Sequence, residues 1–154
     1  MKQMHRYRLL SLLGLSLMIF LVGCSLPRII ILTDPLTPEE HLNLGVAYEK
    51  KGDLDHAITE YRLAAKKLPL AYLYIGNAYF QKKEWVEAER CYKKAIEKDP
   101  KNADAHNNLA WLHYIKHENL DLAERLALKA IELNPSKGDI YRDTLERIRE
   151  LKKP

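Results

Sequence analysis

The chain has 154 residues, enough for one compact domain beside any targeting segment. It is 47% hydrophobic and 30% charged, with only 8% aromatic residues, a balance that suits a helical protein with well-solvated faces. The formal charge of +4 arises mostly at the start, where Lys2, Arg6 and Arg8 precede the first acidic residue, Asp34; beyond residue 23, 22 basic side chains face 21 acidic ones. A body so close to neutral excludes a basic nucleic-acid footprint.

In chain order, the first element reads as an export signal. MKQMHRYR is a basic start, and Leu9–Gly23 is a fifteen-residue apolar run of the length expected for a signal core. As a helix it spans about 22 Å, short of the ~30 Å hydrocarbon core of a bilayer. The run closes on Leu21-Val22-Gly23-Cys24, which resembles the bacterial lipoprotein signal: Leu, a small or aliphatic residue, Gly or Ala, then Cys. That resemblance implies removal of residues 1–23, a diacylglyceryl group on the Cys24 thiol and an acyl chain such as palmitate on the freed amine. Two or three chains anchor stably where one binds only marginally. The alternative is an uncleaved signal anchor, lengthened by Leu26 and Ile29–Leu32. Both readings export residues 25–154, because the basic start stays inside. The expected location is the cell envelope, facing the periplasm, and Ser25 points to the outer membrane by the sorting rule of enteric bacteria.

Residues 24–37 follow as the anchor cysteine and its tether, with two prolines and no helical period. Fully extended, the tether reaches ~45 Å at most. Its Ile29–Leu32 patch either lies against lipid headgroups or packs on the first helix.

The body then repeats itself. Asn43–Pro69, Tyr74–Pro100 and Asn108–Pro135 align on small residues and a closing proline. The first helices carry Leu44-Gly45, Ile75-Gly76 and Leu109-Ala110, followed three residues on by Tyr48, Tyr79 and His113. The second helices carry Ala57, Ala88 and Ala123, then Tyr61, Tyr92 and Ala127, then Ala64, Ala95 and Ala130. This pattern resembles the tetratricopeptide repeat (TPR), a helix–turn–helix unit with a period near 34 residues. It implies an all-α, right-handed α-solenoid of three helix pairs over 38–68, 70–99 and 103–134. The spacing departs from uniformity, with 31 residues from Gly45 to Gly76 and 34 from Gly76 to Ala110. Pro69 is therefore expected in the first turn of the next helix, where proline is tolerated. The KHENLD turn carries one residue more than its counterparts. Residues 137–152 form a final amphipathic helix, with Tyr141, Leu145 and Ile148 on one face and Arg142, Glu146, Arg149 and Glu150 on the other. Such a helix caps a solenoid that would otherwise expose its core. The TPR domain thus covers 38–152.

Catalytic motifs are missing from the sequence: no glycine-rich phosphate loop, Gly-x-Ser-x-Gly or His-Glu-x-x-His occurs. His106, His113 and His117 share helical faces, but metal binding needs three or four converging ligands, and His113 takes the place of a packing aromatic. Cys91 is expected to be a buried, inert thiol. No enzyme activity, metal, cofactor, nucleic acid or small-molecule substrate is expected.

In the TPR family the first helices line a concave groove that binds protein or peptide partners. By register its walls here are Leu42, Asn43 and Val46; Leu73, Tyr74, Asn77 and Phe80; and Asn107, Asn108, Trp111 and Tyr114, with Glu49, Lys50, Gln81, Asp104 and Ile115 also facing inward. Rings supply affinity and amides pair with an extended backbone. Trp111 and Phe80 have packing as their alternative role. The basic clamp by which chaperone-binding members hold a C-terminal carboxylate does not recur: the matching positions are Leu42, Val46, Tyr74, Asp104 and Asn108. The expected function is a lipid-anchored, non-catalytic scaffold resembling the pilotins and assembly factors of envelope machines. The alternative is a structural subunit of a membrane complex, contacting its neighbours through the convex face. A short solenoid can also pair with itself, so the oligomeric state stays open.

Overall fold

A computed structural model describes residues 34–153; the signal segment, Cys24 and most of the tether lie outside them. Seven α-helices succeed one another in the described residues: α1 (Pro38–Lys50), α2 (Leu54–Ala64), α3 (Ala71–Gln81), α4 (Trp85–Lys98), α5 (Ala103–Lys116), α6 (Leu120–Leu133) and α7 (Gly138–Leu151), the last preceded by a single 3-10 turn at Pro135–Lys137. α1 with α2, α3 with α4 and α5 with α6 form three antiparallel pairs, and α7 packs on α6 and α5. None of these helices is long and apolar enough to cross a membrane.

The caps explain the starts. Thr37 accepts from the Glu40 amide at 3.2 Å while the Glu40 carboxylate accepts from the Thr37 amide at 2.7 Å, a reciprocal box with Pro38 behind it. Asp53 and Asn102 accept from the amides of His56 and Ala105 at the starts of α2 and α5. Within each pair the turn follows one recipe. Gly52, Lys83 and His117 enter the left-handed region at φ 79°, 61° and 54°. The next amide then reaches back to the carbonyls of Tyr48, Tyr79 and His113 respectively, satisfying an end that the helix leaves open. The extra residue of KHENLD is absorbed by a second left-handed position, Asn119 at φ 51°, a residue type that tolerates it.

Pro69 corrects an expectation. It sits in the turn before α3 rather than in its first helical turn, and α3 begins at Ala71. The amides of Ala71, Tyr72 and Leu73 bond back to the carbonyls of Leu68, Pro69 and Leu70 at 3.0–3.1 Å. These tight i+3 to i bonds carry the chain across the shortened junction.

Each of the first two pairs is keyed by a tyrosine ring pressed on a glycine. A Cβ built on Gly45 would stand 2.4 Å from Tyr61 Cε1, and one on Gly76 would stand 2.5 Å from Tyr92 Cδ1. No side chain fits there, so glycine is required by packing and not by its backbone angles. The third pair replaces both partners with alanines, Ala110 and Ala127, each fully buried. Tyr141, Leu145 and Ile148 of α7 are buried as their spacing predicts, while Arg142, Glu146, Arg149 and Glu150 remain exposed. Cys91 is 4% exposed, and burial pushes its thiol pKa up.

His113 is 1% exposed with neither ring nitrogen bonded to a protein group. Burial holds its pKa below the usual histidine value, against an opposing pull from Glu89.

Two outcomes follow from this packing. Gly76→Ala destabilises the fold by about 1–3 kcal/mol through overpacking, and Tyr92→Ala by about 3–5 kcal/mol through its cavity. The double variant, which restores the Ala–Ala solution of the third pair, costs less than the sum; a double-mutant cycle by urea denaturation reads the coupling. For His113, the folded pKa lies below the unfolded one, so the neutral ring's contribution is intact above the unfolded value of about 6.5 and is lost as pH falls below it and through the lower folded pKa. His113→Leu should stabilise by about 1 kcal/mol at neutral pH and show a shallower loss of stability between pH 7 and pH 5 than the parent chain, measured by the same denaturation.

Candidate peptide-binding groove

Two open cavities run side by side across the first helices of the repeats. One, of about 280 Å³, is lined by Glu49, Asn77, Phe80, Gln81, Asn108 and Trp111, with Tyr92 at its base. The other, of about 340 Å³, is lined by Val46, Glu49, Lys50, Tyr74, Asn77 and Gln81. Glu49, Asn77 and Gln81 border both, so the two form one continuous trough over α1, α3 and α5.

The polar groups of the trough are held from below and from the side. Asn77 Oδ1 accepts from the Tyr92 hydroxyl at 3.0 Å and from Asn108 Nδ2 at 2.8 Å. Glu49 accepts from the Tyr61 hydroxyl on one carboxylate oxygen and from Gln81 Nε2 on the other. Outside the two cavities, Asp104 of α5 accepts in the same way from the Tyr141 hydroxyl at 2.7 Å and pairs with Lys137 Nζ at 2.8 Å. Tyr61, Tyr92 and Tyr141 are among the largest fully buried side chains, and burial pushes all three phenol pKa values up, with Glu49 and Asp104 adding to the rise at Tyr61 and Tyr141. These phenols stay protonated and act as fixed donors. A buried ring thus presents one hydroxyl to the first helix of each repeat, and in the third repeat α7 supplies it.

The aromatic walls are half-buried. Phe80 meets the Trp85 ring edge-on at 5.1 Å, and Trp111 lies 4.9 Å from the Tyr114 ring with the Arg147 guanidinium 5.9 Å over it. Trp111 and Phe80 therefore combine the two roles that the sequence left as alternatives: each packs on one side and borders the trough on the other.

Of the residues expected along the groove, Val46, Tyr74, Asn77, Phe80, Asn108 and Trp111 line the trough. Leu73 does not, since it is 7% exposed and belongs to the core cluster that runs from α2 to α5. Asn107 is likewise turned inward, at 8% exposed with its Oδ1 unbonded by protein groups. Leu42 packs against the core, Asn43 is exposed beyond the cavities, and Tyr114 joins Trp111 in the ring cluster without bordering either cavity. Tyr92 was missed because it sits on a second helix. Its signal was the phenol where a packing position needs only a ring. His106, His113 and His117 form no metal cluster, and no group of three or more metal-ligating side chains occurs among the described residues. Among surface lysines, Lys82 pairs with Asp55 and Glu84, Lys93 with Glu89, and Lys94 with Glu97.

Family models of the tetratricopeptide repeat match residues 42–89 and 76–115. These residues are tetratricopeptide repeats. The curated human protein O-mannosyl-transferase TMTC2 is 33% identical over 102 residues, which are 62% of this chain. The chain spans only 12% of that relative. Among solved structures, the first TPR of Spaghetti (RPAP3) bound to the HSP90 peptide SRMEEVD superposes with a TM-score of 0.67 at 21% identity, covering 78% of this chain and 96% of that one. The TPR2B domain of yeast Sti1, in a complex with pHsp70, gives 0.68 at 22% identity, covering 73% and 96%. At these identities the likeness establishes the TPR fold.

Asn77→Ala should destabilise the TPR domain by about 1–3 kcal/mol, because it leaves the buried Tyr92 hydroxyl without its acceptor. Tyr92→Phe on the Asn77→Ala background should recover part of that loss; thermal or urea melts of the three variants check it.

Proposed function

We propose that this chain is a non-catalytic scaffold that holds an extended segment of a partner protein in its TPR groove, close to a membrane, in the assembly or organisation of a cell-envelope complex. The single observation that carries the reading is the trough itself. It joins three repeats, half-exposes Phe80 and Trp111, and offers the Asn77 amide, fixed by the buried Tyr92 hydroxyl, with the Asn108 amide bonded to it. Preorganised amides beside half-buried rings bind an extended backbone without first being ordered. The peptide bound to the Spaghetti TPR domain is a precedent for the mode of binding in this fold. The membrane part rests on Leu21-Val22-Gly23-Cys24 and on the short tether that follows.

Two measurements test this. A photo-crosslinking amino acid at Gln81, which borders both cavities, should capture a specific partner in cells, and Trp111→Ala should reduce the yield at least about tenfold, as loss of a central anchor does. Unchanged capture with Trp111→Ala, or capture from exposed Arg90 on α4 in its place, would replace the groove with an outer-face contact. Metabolic labelling with palmitate should mark the full chain and fail with Cys24→Ala. Equal labelling of the two would remove the lipid anchor from the proposal.

A further inference from the structure

The geometry points to a selectivity within that groove: we infer that the cavity between α1, α3 and α5 takes an Arg or Lys side chain from the partner peptide and disfavours an acidic one. The inference rests on the groove reading above and deepens it.

It starts from Glu49. Its carboxylate is half-buried and borders both cavities, yet it pairs with no cation among the described residues. Its two bonds come from neutral donors, the Tyr61 hydroxyl and the Gln81 amide. Other glutamates of the fold do find cations: Glu84 pairs with Lys82, Glu87 with Arg90, Glu89 with Lys93 and Lys116, and Glu124 with Arg149 and Lys152. A bound peptide covers the trough and strips water from Glu49. An incoming cation compensates that desolvation, whereas an incoming carboxylate adds repulsion to it.

The surroundings fit a long cationic side chain in particular. Phe80 and Trp111 border the same cavity of about 280 Å³ as Glu49. An Arg or Lys stem lies along such rings while its charged head meets the π face and then the carboxylate. The Trp111 ring already holds one guanidinium in this way, that of Arg147 at 5.9 Å. Asn77, Asn108 and Gln81 surround the position and leave amide groups for the peptide backbone on either side. Lys50 borders only the second cavity, which assigns the preference for a cation to the first.

The test uses the full chain on four immobilised octapeptide pools, random except for a central Arg, Lys, norleucine or Glu. The expected result is retention on the Arg and Lys pools about tenfold above the Glu pool, the scale of one charge-assisted hydrogen bond. Glu49→Gln, which keeps an oxygen acceptor for the Tyr61 hydroxyl, should bring the four pools together, and Glu49→Lys should invert the order. Rising salt should shrink the difference. Binding that depends on Trp111 but does not discriminate among the pools overturns the selectivity and leaves the groove reading standing. So does a preference that survives Glu49→Gln in a variant whose melting curve shows it folded. Binding to no pool, or binding indifferent to Trp111→Ala, overturns both.

Discussion

The fold depends on how closely the two helices of a repeat approach. In the first two repeats that distance is set by a phenol ring lying flat on the backbone at Gly45 or Gly76, with no room for a single extra carbon. Helices joined by three-residue turns could settle at many rotations. A rigid ring in a slot that only glycine leaves open selects one, since close-packed interiors tolerate neither voids nor overlap. The third repeat reaches a similar end with two buried alanines. Bulk on one helix and absence of bulk on the other are complementary, so both members of the pair change together.

The same rings connect the core to the trough. Each tyrosine enters the interior for its hydrophobic area, and its hydroxyl then needs a partner. The partner in every case is a polar side chain of a first helix: Glu49, Asn77 or Asp104. Groups that would otherwise rotate freely at a solvent-exposed surface are thereby fixed from inside. Stability and the polar lining of the trough share the Glu49 and Asn77 atoms, so a change beneath the trough reaches its surface without touching it. A ligand that bonds the same amides adds to a network that is already partly polarised.

The sequence carried most of the architecture. The glycine–tyrosine pairs, the alanines and the closing prolines fixed the helix pairs, and the pattern of α7 fixed which of its faces is buried. Depth was less legible. α3, AYLYIGNAYFQ, is apolar on nearly every side, so periodicity could not say that Leu73 turns inward while Tyr74 borders the trough. Asn107 and His113 are polar residues in buried places, where residue type argues for the surface and only packing decides otherwise. Pro69 was misplaced because residue counting shows that a junction is short without showing how the backbone shortens it; a run of tight i+3 to i bonds does so. Tyr92 escaped notice for a related reason. Its position in the repeat marks it as packing, and its reach to Asn77 is a property of the assembled pair.

A stack of identical helix pairs is a one-dimensional lattice, and nothing in a single pair says how many should be joined. In the described residues, α7 covers one end of the stack. Tyr141 donates to Asp104 on α5, and Leu145 and Ile148 cover the apolar surface of that repeat. That end of the described stack is thus covered by a helix whose outer face is charged. The apolar face of the third pair is therefore closed off by a surface that water wets, and the described core meets solvent there mainly through charged side chains.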